Sequence, residues 1–287
     1  MSSEQLQTIR ANDGAKLCFL RTGNAAGPKV LLLHGWSGSH RYFCRNIEAL
    51  AQECEVIAVD LRFHGDSSHT DHGFSVSRLA VDMENLLEHL GLTNVVAVGT
   101  SMGCAIIWQH HMLFPGSQRV AKAVLVDQAP LQTCIPGWEH GSKGLPDQAA
   151  VDGLRKVLLE DMRAFAKGNA ECCLTLPVPD DVAAVLEAET LKCDGAKLGA
   201  LMQDHTGIDH RPTLRTLPFE CLELAGAHSG CFPMEGLREV ERLVPRCKTV
   251  VFRDANHWLY IEEPAKFNDI VVRFAKGGLA AIAETEV

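Results

Sequence analysis

Short apolar runs alternate with amphipathic stretches along most of this chain. The runs are KLCFLRT (16–22), KVLLLHG (29–35), CEVIAVD (54–60), VVAVGT (95–100), KAVLVD (122–127), CLELAG (221–226) and TVVFRD (249–254). Each reads as a strand bounded by turn residues. After the first, they are apolar and β-branched at successive positions, as expected of strands buried on both faces of a parallel sheet. Between them, SVSRLAVDMENLLEHLG (75–91) places apolar side chains at 76, 79, 80, 83, 86, 87 and 90, one face of a helix, and Gly91 supplies a stop. EGLREVERLV (235–244) and AKFNDIVVRFAK (265–276) repeat the pattern. The alternation predicts an α/β fold built on a doubly wound, mostly parallel sheet with right-handed crossovers.

The alternation breaks between about residues 131 and 215. AAVDGLRKVLLEDMRAFAKG and PDDVAAVLEAETLKCDG are helical in pattern, and no convincing strand lies among them. The stretch is too long for a simple crossover. It is expected to be a helical cap insertion (131–215) over the carboxyl ends of the strands, inserted into a core of 1–130 and 216–287. The final residues, AETEV, are expected to fray.

Composition narrows the function classes. The chain has 287 residues, enough for one large α/β domain with an insertion. A net charge of −9 argues against a nucleic-acid or anionic-membrane surface, which needs clustered Lys and Arg. The N-terminal MSSEQLQTIRAND has no basic start followed by an apolar stretch, so no signal peptide is expected. No apolar run reaches the roughly 18 residues of a membrane span. The 11 cysteines are scattered and often sit within apolar runs, so reduced, mostly buried thiols are expected rather than a disulfide framework. Cys172 and Cys173 lack a paired C-x-x-C, and HTDH (His69 to His72) lacks the two-plus-two spacing of a zinc site, so no metal is expected. A cytoplasmic monomer or homodimer acting on a small-molecule substrate fits these observations.

The candidate chemistry begins at Gly99-Thr100-Ser101-Met102-Gly103. G-x-S-x-G between a strand and a helix makes a tight, strained turn that raises the serine hydroxyl above the sheet. Acyl transfer to such a serine needs backbone N–H donors for the oxyanion. Met102, after the serine, supplies one; the His34-Gly35 turn ending the strand at 29–35 supplies another, from Trp36. A base is needed too. His257, in DANHWLYIEEP just after the last strand, lies at the carboxyl edge and titrates in the right range. His110, His111, His205 and His210 fall on helices or in the insertion and are expected to be structural or solvated. Pocket candidates are Trp36, His34, Phe63, Met102, Leu131, Trp138 and Trp258.

HGWSGS, DLRFHGDS, GTSMG, LVDQAP and NHWLYIEEP together resemble the α/β-hydrolase superfamily, in its order and spacing, over roughly residues 15–278. The resemblance implies the doubly wound sheet, a Ser-acid-His order and no cofactor. Many members carry the acid after their seventh strand, in G-x-x-D. Here that stretch is AGAHSGCF, with Ser229 in the acid's place. The family's other slot, the end of the sixth strand, holds Asp127, and some branches pair VDQ-x-P with G-x-x-S. Asp127 is therefore the expected acid, with Asp254 and Asp204 as rivals. RFHG, where the family often has R-G-H-G, is expected to crowd the pocket rim near Phe63.

The expected activity is hydrolysis of a small to medium, largely apolar carboxylic ester or lactone through an acyl-enzyme on Ser101. The same triad supports cofactor-free perhydrolase or haloperoxidase-type chemistry and carbon–carbon bond hydrolysis. A catalytically weak ligand receptor on the same fold is the non-enzymatic alternative. A purely structural protein would not need the serine, the histidine and both oxyanion loops.

Overall fold

The computed structural model describes residues 6–283. Nearly all of AETEV, expected to fray, lies outside this range. The strands are β1 (Gln7–Arg10), β2 (Lys16–Gly23), β3 (Lys29–Leu33), β4 (Glu55–Asp60), β5 (Val95–Thr100), β6 (Val120–Val126), β7 (Glu220–Gly226) and β8 (Cys247–Phe252). They form one sheet in the order β1-β2-β4-β3-β5-β6-β7-β8. β2 runs antiparallel to β1 and β4, and the pairings from β3 to β8 are parallel. β1 was not legible in the sequence: of its four residues only Ile9 is buried, so it carries no usable alternation.

Side chains of the central strands alternate between two cores, as the period of a strand requires. Leu31, Leu33, Ile57, Val59, Ala97 and Leu125 face one side. Val30, Leu32, Val56, Ala58, Val98 and Val124 face the other. This double burial explains the unbroken apolar runs. The helices are α1 (Ile47–Ala51), α2 (Val76–His89), α3 (Met102–Leu113), α4 (Gln148–Glu160), α5 (Met162–Cys173), α6 (Asp180–Leu191), α7 (Gly195–Thr206), α8 (Arg211–Leu214), α9 (Met234–Leu243), α10 (Leu259–Glu262) and α11 (Pro264–Gly277). In α2 the Ser75 hydroxyl accepts from the Arg78 amide at 3.1 Å, and the expected stripe at 76, 79, 80, 83, 86 and 87 is buried. α3 buries every residue from Met102 to His110, which is why it reads as a continuous apolar segment rather than a stripe.

Helices α4 to α8 connect β6 to β7. They pack on the loops at the strand carboxyl ends: Tyr42 meets Thr190 of α6 at 2.6 Å, and the Trp36 indole donates to Leu198 O of α7 at 3.0 Å. Among the described residues no helix is long and apolar enough to cross a membrane. All 11 cysteines are free thiols.

Candidate active site

The turn between β5 and α3 holds Ser101 at φ 51°, ψ −120°. A non-glycine residue with positive φ costs roughly 1–3 kcal/mol and persists only where its surroundings impose it. Here they do. A Cβ on Gly99 would overlap the backbone of Gly103, one on Gly103 would overlap the Leu33 carbonyl oxygen, and Gly35 lies against the Ser101 Cβ. The glycines of the motif thus let β5, α3 and the end of β3 converge. Gly103→Ala is expected to cost about 1–3 kcal/mol by overpacking, read as a lower urea midpoint at unchanged slope. A wild-type midpoint would mean that β3 yields freely.

His257 and Asp127 meet across 130 residues of chain. His257 Nδ1 lies 2.6 Å from Asp127 Oδ1. Asp127 follows β6 at φ 52°, a second positive-φ residue. Its carboxylate also accepts from Ser229 Oγ at 2.6 Å and from the Gly226 amide at 2.8 Å. Ser229, in the slot where an acid was looked for after β7, therefore hydrogen-bonds the Asp127 carboxylate at the end of β6. Burial pushes the Asp127 carboxyl above its ordinary value, against the pull of His257, Ser229 and Gly226. Glu223 of β7 is fully buried with no side-chain partner, and burial together with the Asp127 charge raises its carboxyl well above the usual range. Burial pulls the His257 imidazole down, but Cys231 and Asp127 outweigh it and hold the ring well above the ordinary histidine value. Of the rival acids, Asp204 accepts from the Val76 amide at 2.8 Å, in the α2–α7 contact. Asp254 is exposed, and Asp127 is the carboxylate hydrogen-bonded to the ring.

Ser101 and His257 line one cavity of about 380 Å³. The Ser101 hydroxyl is held only by Gln128 Oε1 at 3.5 Å, a long contact that leaves it free to turn toward the imidazole. Met102 opens α3, so its amide is among the first-turn N–H groups that a helix leaves unpaired. Among the described residues neither this amide nor that of Trp36 has an acceptor. An oxygen anion between them would meet two free donors and the positive end of a helix.

The other expected pocket residues divide. Trp36 and Trp258 line the cavity. His34, Phe63, Leu131 and Trp138 do not. His34 is fully buried; its Nε2 accepts from the Leu61 amide at 3.0 Å and its Nδ1 pairs with Gly35 O at 2.7 Å. That pattern requires the neutral ring, and burial pulls its pKa down to about 4. His64 accepts from the Ser37 amide at 3.1 Å, so the two histidines brace one loop against the next. Phe63 stacks on Phe74 with centroids 4.9 Å apart, turned away from the rim it was expected to crowd. Leu131 and Trp138 pack with Ala225 and Leu237 in a separate small core, and the indole donates to Leu131 O at 3.1 Å. In their place the cavity is lined by residues of α4, α5 and α7, among them Leu154, Asn169 and Met202. No Asp, Glu, Lys or Arg lines it.

Two supporting residues were not read from the sequence. Asn256 Oδ1 accepts from the His257 amide at 2.6 Å and from the Gly230 amide at 2.7 Å. Glu262 accepts from the amides of Asn256 at 2.5 Å, Thr175 at 2.5 Å and Leu176 at 2.6 Å. Together they tie the His257 loop to the loop after β7 and to the segment after α5. Only their neighbourhood to His257 in NHWLYIEEP could have pointed to them. In the HTDH segment His72 lies 3.3 Å from Asp13 and Asp71 pairs with Lys197 at 3.1 Å.

Residues 28–186 match the family model described as alpha/beta hydrolase fold. The chain is 28% identical to a mouse (Mus musculus) sn-1-specific diacylglycerol lipase, over 89% of this chain and 83% of that protein. It is 32% identical to a non-heme haloperoxidase of Rhodococcus erythropolis, over 55% of this chain and 56% of that protein. An esterase structure from Exiguobacterium antarcticum superposes with a TM-score of 0.89 at 24% identity, covering 95% of this chain and 100% of that one.

Proposed function

The chain belongs to the alpha/beta hydrolase fold family, and from that premise we propose that it hydrolyses uncharged, largely apolar carboxylic esters or lactones through an acyl-enzyme on Ser101. The observation that carries this reading is the Asp127–His257 hydrogen bond of 2.6 Å ending in the cavity that also holds Ser101. The ester-cleaving lipase and esterase relatives support it.

The steps follow from the residues. With Nδ1–H donating to Asp127, the imidazole offers Nε2 to the Ser101 hydroxyl and takes its proton as Oγ attacks the substrate carbonyl. The oxyanion forms between the Trp36 and Met102 amides. Each such donor is worth roughly 10²–10³ in rate. The imidazolium, stabilised by Asp127, gives its proton to the leaving alkoxide. A water molecule, activated by the same nitrogen, then releases the acid.

No Lys or Arg lines the cavity, so a substrate carboxylate inside it would lose water without gaining a guanidinium or ammonium partner. On a panel of aryl esters of equal acyl length, kcat/KM for a hemisuccinate is expected to lie about 10²-fold or more below that of the neutral valerate. Equal rates would remove the apolar-substrate reading. Intact mass after a fluorophosphonate tests the nucleophile: one adduct is expected on the wild type and none on Ser101→Ala. No adduct and no turnover, with tight binding of an ester, would favour a ligand receptor. The haloperoxidase relative supports a second reading, perhydrolysis on the same triad, detected as peracid formed from acetate and peroxide.

A further inference from the structure

The cavity wall beside His257 carries thiols that the hydrolytic steps do not use. Cys172 and Cys173 end α5, and Cys231 follows Gly230 in the loop after β7. Their three Sγ atoms lie within 4.8 Å of one another, and among the described residues they are the only such group of metal-ligating side chains. Read from sequence, Cys172-Cys173 had no partner. The partner comes from 58 residues away, beyond the reach of any local spacing rule.

The group is held by backbone contacts. Asn256 Nδ2 donates to Cys172 O at 3.0 Å, and the Trp258 amide donates to Cys173 O at 3.1 Å. The Gly230 amide donates to Asn256 Oδ1, and a Cβ at Gly230 would overlap the Cys172 carbonyl oxygen. The sulfurs are therefore fixed to the same loop that carries His257. Cys173 and Cys231 Sγ lie 3.9 Å apart. Four-coordinate zinc, with Zn–S bonds of about 2.3 Å, sets its sulfurs about 3.8 Å apart. His257 Nδ1 is taken by Asp127, which leaves Nε2, and the ring lines the same cavity as the three cysteines. Three sulfurs and one imidazole nitrogen make a complete donor set for a tetrahedral soft cation.

We propose that Cys172, Cys173 and Cys231 bind a thiophilic divalent cation such as Zn²⁺, and that the bound cation inhibits the enzyme by taking His257 Nε2 as its fourth ligand. On binding, the three thiols release three protons to solvent and each sulfur donates a lone pair to the cation; no electron is transferred. Binding is independent of the ester-hydrolase reading, whereas inhibition rests on it.

The probe is Co²⁺, titrated into the full chain reduced with a non-thiol reductant. One equivalent is expected to produce a thiolate-to-cobalt charge-transfer band that Zn²⁺ displaces. The band should weaken in Cys172→Ser, an exposed position, and in Cys231→Ser. In parallel, Zn²⁺ is expected to inhibit ester turnover and EDTA to restore it. The half-inhibiting concentration should rise at least about tenfold in Cys172→Ser, since even partners one shell removed from a metal are worth about 10–100-fold in affinity; each variant is compared with its own metal-free rate. No band on the wild type, or an equal band in both variants, overturns the site. A band without inhibition overturns the blocking of His257. Equal inhibition of the wild type and Cys172→Ser places the cation on the imidazole alone and overturns the proposal. The band is read without substrate, so its failure is separable from failure of the ester reading.

Discussion

Replacing Ser101 by alanine is expected to lower kcat about 10⁶-fold, the scale of losing a triad nucleophile, with the protein folded and ligand still bound. The loss is expected to be large because Ser101 is the residue on which the proposed acyl-enzyme forms. Ser101 lines the cavity at the start of α3, and among the described residues the Trp36 and Met102 amides have no acceptor. A residual acceleration of about 10³–10⁴ over water is expected from the oxyanion donors and binding alone. The substitution should also raise stability slightly, because alanine removes a half-buried hydroxyl whose one contact is 3.5 Å long. The positive φ remains, so the gain is small. Burst kinetics and intact mass check the prediction. A Ser101→Ala protein that still accumulates an acyl adduct would move the nucleophile elsewhere, with Cys231 the first place to look.

Asp127→Asn is expected to lower kcat about 10⁴-fold while leaving KM within a few-fold. The side chain keeps its shape but can present an N–H to Nδ1. The imidazole then holds its proton on Nε2, where it cannot accept one from Ser101. The pH profile should move as well. In the wild type the imidazole sits above its ordinary value, with Cys231 and Asp127 as the causes. The working form is the neutral ring, so activity is lost as pH falls through that raised value. Removing the Asp127 charge lowers the ring's pKa, so the acid limb should shift to lower pH even as the plateau collapses. A collapsed plateau with an unshifted limb would assign the limb to another group. Ser229→Ala tests the same carboxylate more gently: it removes one of three donors to Asp127, and a smaller loss in the same direction is expected.

Much of the fold was legible because the sheet is buried on both faces. Runs such as VLLL and VIAV need no partner information to be read as strands. The stripe of α2 and its Ser75 cap were equally local. The turn around Ser101 was legible for a related reason: its glycines answer contacts that the strand-turn-helix makes within a few residues and with the neighbouring β3. β1 was too short and too exposed to leave a pattern.

The pocket was not legible. Aromatic residues near the motifs were expected to line it, yet Phe63 packs into the main core on one face of the sheet and Trp138 into a small separate core. Proximity in sequence to a strand end says nothing about which way a side chain leaves a loop. Ser229 marked a missing acid, but only the pairing of β6 with β7 brings its hydroxyl to Asp127. Cys231 reaches Cys172 and Cys173, and Glu262 reaches Thr175 and Leu176, across 58 to 87 residues of chain. Periodicity and turn chemistry are local, and the sequence therefore determined the sheet, its helices and the nucleophile turn. Contacts of this span depend on how finished elements stack, so the cavity, the braces behind His257 and the thiol cluster were decided by tertiary packing alone.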